Sequence, residues 1–267
     1  MERFIGFSPD TLAQNALRLR IPFFKAGRFF FLEKPSNVSL EASTATNDET
    51  NIIAEIKKSL EKNEVKILEI KIPYAVNFID KDVSGLCLIS CDKEEATYLR
   101  NLNGSELIDY EFLFLSKDEK LADEKSFFTD LPMLFDREKN RAIISHRYGK
   151  KCSANFECIE RVSGFSLWKV KTKFLRQHQV RLHAFEAGLR IVGDSIYAEE
   201  PLPRLSEFKK RYKKFDEEKP LYDSIALHLV SISFKDSDGE LVSAKSELGK
   251  KFKTMLTKLA FKCVNEI

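Results

Sequence analysis

Hydrophobic positions along the chain switch between two periods, and the switches mark its elements. Arg28 to Pro35 (RFFFLEKP) predicts a strand that turns at the proline. Glu41 to Thr50 has no large apolar residue and predicts a solvent loop. Ile52, Ile53, Ile56 and Leu60 then share one helical face, with Asn47 or Asp48 as the expected cap. Val65 to Ile72 is strand-like, and Leu86 to Ser90 predicts a further strand. Leu107 to Leu115 is apolar at nearly every position, the mark of a strand buried on both faces, with Tyr110 near its middle.

Two hairpins follow from turn chemistry. Phe156 to Val162 and Leu167 to Val170 flank Ser163-Gly164. Ile225 to Phe234 and Glu240 to Ala244 flank Asp236 to Gly239. A last helix turns Phe252, Met255, Leu256 and Leu259 inward. Antiparallel hairpins outnumber crossover units, so the fold class is α+β. Arg28 to Ile267 is read as one domain, and residues 1–27 as an N-terminal extension too short for a separate binding module.

Composition narrows the function classes. At 267 residues the chain can bury a full core, and 32% charged residues fit a globular protein with no integral membrane segment. The N-terminus lacks the apolar stretch of a secretory signal. Five cysteines without framework spacing predict reduced thiols and a cytoplasmic setting. Cys87 and Cys91 share a strand face as buried thiols, with no second pair at zinc spacing. A net charge of +3 means that any nucleic-acid binding must come from a local patch. One is visible in the insertion 201–220: in Arg204 to Phe215, Leu205, Phe208, Tyr212 and Phe215 line one helical face, and six basic residues against Glu207 fill the rest.

Two segments carry candidate chemistry. In Asn77 to Gly85 (NFIDKDVSG), Asp80 sits among apolar neighbours before a Ser-Gly turn, so it is expected to be buried enough to need a partner. Taken alone it would be an Asx-turn cap. About a hundred residues later comes Arg176 to Tyr197 (RQHQVRLHAFEAGLRIVGDSIY). Arg176 to Gly188 predicts a helix stopped by Gly188. Val180, Ala184 and Ala187 form its inward stripe, with His178, Arg181 and Phe185 beside it. Arg181 could meet Asp80 across a cleft and hold the carboxylate ionised. The bland alternatives are a solvated arginine and half-buried, satisfied histidines, the latter kept for His183.

In this order and at this separation, the two segments resemble the core motifs of the RluA-type RNA pseudouridine synthases. The family's first motif is His-Arg-Leu-Asp with a following Thr-Ser-Gly. Its second is Thr-Gly-Arg-Thr-His-Gln-Ile-Arg-Val-His, closing with Val-Gly-Asp and a tyrosine. Three weaker matches lie in the same order: Glu33-Lys34-Pro35 for Asp-Lys-Pro, Tyr110 for the tyrosine of Lys-x-Tyr-x-Ala-Leu-Val, and Leu227-His228 for a Leu-His before the last hairpin.

The resemblance implies a pseudouridine synthase fold and isomerisation of uridine in RNA, ribosomal or transfer, by a monomer without metal or redox cofactor. It assigns Asp80 as the catalytic aspartate. Tyr110 would stack on the base and help to remove the C5 proton, Arg181 would orient Asp80, and Val180 would pack on the base. Arg176, His178 and Gln179 would shape the cleft and its RNA contacts. Asn77-Phe78 stands where the family has His-Arg, Phe174-Leu175 replaces Thr-Gly, and Ile108 replaces a lysine. These departures fall on substrate handling, and they keep open a second reading, an RNA-binding descendant that has lost turnover.

Overall fold

The computed structural model describes residues 3–7, 19–42, 51–61, 70–118, 124–207 and 218–265. In chain order the strands and helices are β1 (Arg3–Phe7), β2 (Leu19–Ala26), β3 (Phe29–Lys34), α1 (Ile52–Glu61), β4 (Tyr74–Ala75), β5 (Ser84–Ser90), α2 (Lys93–Gly104), β6 (Ile108–Asp118), β7 (Ser126–Thr129), β8 (Met133–Asp136), β9 (Arg141–Ile144), β10 (Ala154–Val162), β11 (Phe165–Thr172), α3 (Gln179–Glu186), β12 (Leu189–Ile191), β13 (Leu227–Lys235), β14 (Leu241–Lys245) and α4 (Lys250–Lys258). The chain forms two compact units. The first holds residues 1–110, 173–177 and 231–246, and the second holds 111–172, 178–230 and 247–267. Both combine antiparallel strands with helices, the α+β class expected.

In the first unit β1, β2, β3 and β5 pair in that order, each antiparallel to the next, with β4 along β5. The strand predicted at Arg28 to Pro35 is β3, and its register with β5 sets Phe31 opposite Leu88 and Lys34 opposite Gly85. Phe30, Phe31 and Leu32 are completely buried, as are Ile89, Leu88 and Cys87 opposite them and Leu86 opposite Glu33. Burial on both faces of two strands removes the usual choice between an inner and an outer register.

Helix α1 confirms the amphipathic reading, with Ile52, Ile53 and Ile56 buried. Its cap is Asn51, whose side-chain oxygen accepts the Ala54 N–H at 2.9 Å. Asn47 and Asp48 lie outside the described residues, as does most of the strand-like Val65 to Ile72. Its last residues, 70–72, are not strand; the N–H groups of Lys71 and Ile72 both reach the Cys91 carbonyl.

In the second unit β6 lies beside β11, followed by β10 and β7, while β12 pairs with β6 and β8 pairs with β9. The β10–β11 hairpin turns at Ser163 (φ 52°) and Gly164 (φ 82°), both left-handed. That is the requirement of the tight turn its sequence announced. Phe252, Met255, Leu256 and Leu259 of the last helix are buried with Leu113, Leu115, Leu167 and Val192 in one core cluster. Residues 208–217, half of the insertion and most of its expected helix, lie outside the described residues. Leu205–Glu207 form a short 3-10 turn. No helix among the described residues is long and apolar enough to cross a membrane.

Candidate active site

Asp80 occupies the turn that enters β5. It is half-buried, and its carbonyl accepts the Val83 N–H at 3.1 Å, closing a tight turn over Lys81 and Asp82. The turn is held from beneath by Lys34, at the end of β3. Its ammonium, 1% exposed, donates to the carbonyls of Pro35 (3.0 Å), Val38 (2.8 Å) and Lys81 (2.9 Å). Three donors meet three acceptors, the condition under which a buried lysine is tolerable. Burial nevertheless pulls its pKa down, to about 8, against the opposing charges of Asp80 and Asp82. Cys87 itself is a buried thiol pushed up to about 12.

Asn77 has a second anchoring role. It is 1% exposed; its side-chain oxygen accepts the Leu88 N–H at 2.6 Å, and its amide donates to the Leu86 carbonyl at 3.2 Å. Its amide matches the donor and acceptor of the β5 backbone and pins the approach to Asp80. Phe78 beside it is half-buried.

Tyr110 ends the first unit's share of β6. Its ring is 1% exposed and its hydroxyl donates to Asn103 Oδ1 at 2.9 Å. Burial raises its pKa far above the ordinary phenol value, so Tyr110 is a neutral hydroxyl.

In the second unit the helix begins later than the periodicity predicts. His178 adopts φ 62°, ψ 12°, so α3 starts at Gln179 rather than Arg176. A left-handed residue cannot continue a right-handed helix. Arg176, in the first unit, is therefore not helical; its guanidinium stands 4.8 Å from the centre of the Phe174 ring. Phe174, a departure from the family pattern, supplies that cation–π support. Gln179 is buried and donates to the Ser153 carbonyl (3.1 Å) and Thr172 Oγ1 (3.2 Å), tying α3 to the ends of β10 and β11. Val180 is buried as expected.

Arg181 is no solvated arginine: it is 2% exposed. Nε and Nη2 donate to the two carboxylate oxygens of Asp194, at 2.9 and 2.7 Å. Burial alone would raise the Asp194 pKa, but the Arg181 hydrogen bonds and charge, with the N–H groups of Ile196 and Tyr197, hold it below the usual carboxylate range. Tyr197 adds its ring face, 5.7 Å from the Arg181 guanidinium carbon. Its hydroxyl accepts the Ala142 N–H at 2.7 Å and lies 2.9 Å from His178 Nδ1. Asp194 and Tyr197 were visible only as the tail of the second motif; that tail, Val192-Gly193-Asp194, was the available signal. Gly193 has φ 78°, and a Cβ there would stand 2.7 Å from the Leu202 side chain and 2.8 Å from the Ser224 carbonyl. Only glycine fits before this aspartate.

His183 is fully rather than half buried. Its Nε2 lies 3.0 Å from the Leu131 carbonyl and carries the proton, while Nδ1 has no hydrogen-bond partner among the described residues. Burial lowers its pKa, so the ring is neutral.

The chain matches the family model of RNA pseudouridylate synthases over residues 28–185, more than half its length, and it belongs to that family. It is similar to ribosomal large subunit pseudouridine synthase D of Haemophilus ducreyi, with 21% identity over 76% of this chain and 58% of that protein. It is similar also to the synthase D of Borreliella burgdorferi, with 25% identity over 73% of this chain and 61% of that protein. The chain thus spans about three fifths of the length of these curated relatives. Human RNA pseudouridylate synthase domain containing 4 shares the fold, with a TM-score of 0.64 at 11% identity, over 88% of this chain and 91% of that one.

Proposed function

We propose that this chain isomerises uridine to pseudouridine in RNA, with Asp80 as the nucleophile. The observation that carries the reading is the family match together with the Asp80 turn, which a buried cation and a buried amide brace on the backbone. The target uridine leaves its stack, at a cost of a few kcal/mol that RNA contacts offset. The Asp80 carboxylate attacks the flipped nucleotide and the bond from the sugar to N1 breaks. The uracil turns and C5 is joined to the sugar as the bond to the Asp80 carboxylate breaks, which frees Asp80. C5 loses its proton and N1 gains one, so product and substrate are isomers and no redox partner enters.

Arg181 belongs to the site in this scheme, and the Asp194 clamp fixes the plane of its guanidinium. Val180 packs against the base. Tyr110 packs too; its raised pKa and its bond to Asn103 favour that role over proton removal from C5. Arg176 and His178 shape the RNA contacts, and Gln179 shapes them through its hold on β10 and β11. The names of the two relatives direct the search first to large-subunit ribosomal RNA.

The test is pseudouridine mapping on total RNA from cells carrying either the wild-type chain or Asp80→Asn. A site present with the first and missing with the second is expected. Identical maps, with RNA binding retained by both proteins, would favour the descendant that binds RNA without turnover.

A further inference from the structure

We infer that the outward face of α4 is a second RNA-contacting surface, one that grips the phosphate backbone away from the reacting uridine. This inference rests on the RNA reading above and adds a place where the substrate is held.

Helix α4 reads KKFKTMLTK and contains no acid. Phe252, Met255 and Leu256 are buried in the core, so the polar face is mounted on a fixed scaffold. That face is made of lysine and threonine alone. Lys250, Lys253 and Lys258, with Thr254 and Thr257, line an open groove together with Glu247 and the buried Leu248 and Val264. Lys250 and Lys258 have no ion-pair partner among the described residues. Lys251 pairs with Asp223, and Lys253 with Glu247 at 2.8 Å. Four ammonium groups therefore face two carboxylates.

A helix face tuned only for solubility mixes both signs. It also keeps lysine out of the first turn, where the helix dipole is positive and each cation costs a few tenths of a kcal/mol. Here Lys250 and Lys251 occupy that turn, and the cap, Gly249, makes no side-chain bond to offset them. An anion along the groove resolves the conflict. From Lys250 to Lys258 the helix rises about 12 Å. That spans three or four nucleotides at about 3.4 Å per stacked nucleotide. The threonine hydroxyls point their protons back into the helix, to the Lys250 and Lys253 carbonyls, which leaves their oxygens as acceptors and the lysines as the donors to phosphate.

The experiment uses the full chain with a fluorescent single-stranded RNA and a stem-loop RNA, titrated between 50 and 200 mM salt. It compares wild type with the triple variant Lys250→Gln, Lys253→Gln, Lys258→Gln. Glutamine keeps the helix propensity, so melting temperature and circular dichroism serve as folding controls. The slope of log affinity against log salt is expected to shrink by about 2, at roughly 0.7 per lost phosphate contact on a single strand. Wild-type binding with an unchanged slope in the variant would overturn this surface while leaving the catalytic proposal intact. Wild type that binds neither RNA at any salt would overturn both. Phosphatidylserine vesicles form a third arm: vesicle binding that the triple variant loses, with its RNA slope intact, would reassign the face to anionic lipid and overturn the RNA inference.

Discussion

The two motif regions hold their charged groups by opposite means. Around Asp80 the anchors are a side-chain cation and a side-chain amide grasping backbone: Lys34 on three carbonyls, Asn77 on the peptide groups of β5. Around Arg181 the anchor is another side chain, the Asp194 carboxylate, itself set by Gly193 and by two backbone N–H groups. The difference predicts how each region fails. A turn gripped through its peptide groups loosens when the grip is removed, whereas a buried ion pair broken on one side leaves a charge without a counterpart.

The largest expected effect is therefore at Asp194. Replacing it with asparagine strands the Arg181 charge in the interior, at a cost of about 3–5 kcal/mol. Chemical denaturation should show that loss, and the double variant Arg181→Met, Asp194→Leu should recover most of it while remaining inactive. A pH series adds a signature. The folded pKa of Asp194 lies below its unfolded value, so its contribution is complete above the ordinary carboxylate range and is lost as pH falls through the lowered value. Asp194→Asn should flatten that acid limb. A single variant as stable as wild type would remove the contrast between the two regions.

Next in size is Lys34→Met. Three carbonyls lose their donor, while the desolvation of an ammonium is relieved, for a net loss of roughly 1–3 kcal/mol. Turnover should fall at least tenfold, because Asp80 rides on the loosened turn. Here the pH sign reverses. The folded pKa is lowered to about 8, so between that value and the ordinary lysine range the unfolded chain binds more protons, and wild-type stability rises with pH. The rise should vanish in Lys34→Met; if it persists, Lys34 is not its source.

The smallest effect is Tyr197→Phe, about 1–2 kcal/mol, since the Ala142 N–H loses its acceptor but the ring still faces Arg181. The His178 side chain should gain mobility, which its ring resonances in magnetic resonance spectra would report. Unchanged resonances would show that the hydroxyl does not position His178.

Much of this architecture could be read from residues alone, where local chemistry dictates it. Ser163-Gly164 declared its hairpin because only a few residue types accept two successive left-handed positions. The inward face of α4 was explicit in its spacing. The start of α3 was hidden: His178 turns left-handed for tertiary reasons, among them the Tyr197 contact, and no propensity encodes that. The partner of Arg181 was hidden for a related reason. The ion pair joins residues thirteen apart across a glycine bend, and only the close approach at Gly193 brings them together. The anchoring bonds of Asn77 were hidden too, because they are made to a strand nine and eleven residues away.

The grip of Lys34 has a consequence for how this chain can drift. Every amino acid carries a carbonyl oxygen, so substitutions at positions 35, 38 and 81 change side chains without removing what the ammonium holds. The burden of inheritance falls on one lysine, and its neighbours are released from it. Side chains on the rim of the Asp80 turn can thus change while its backbone stays in place.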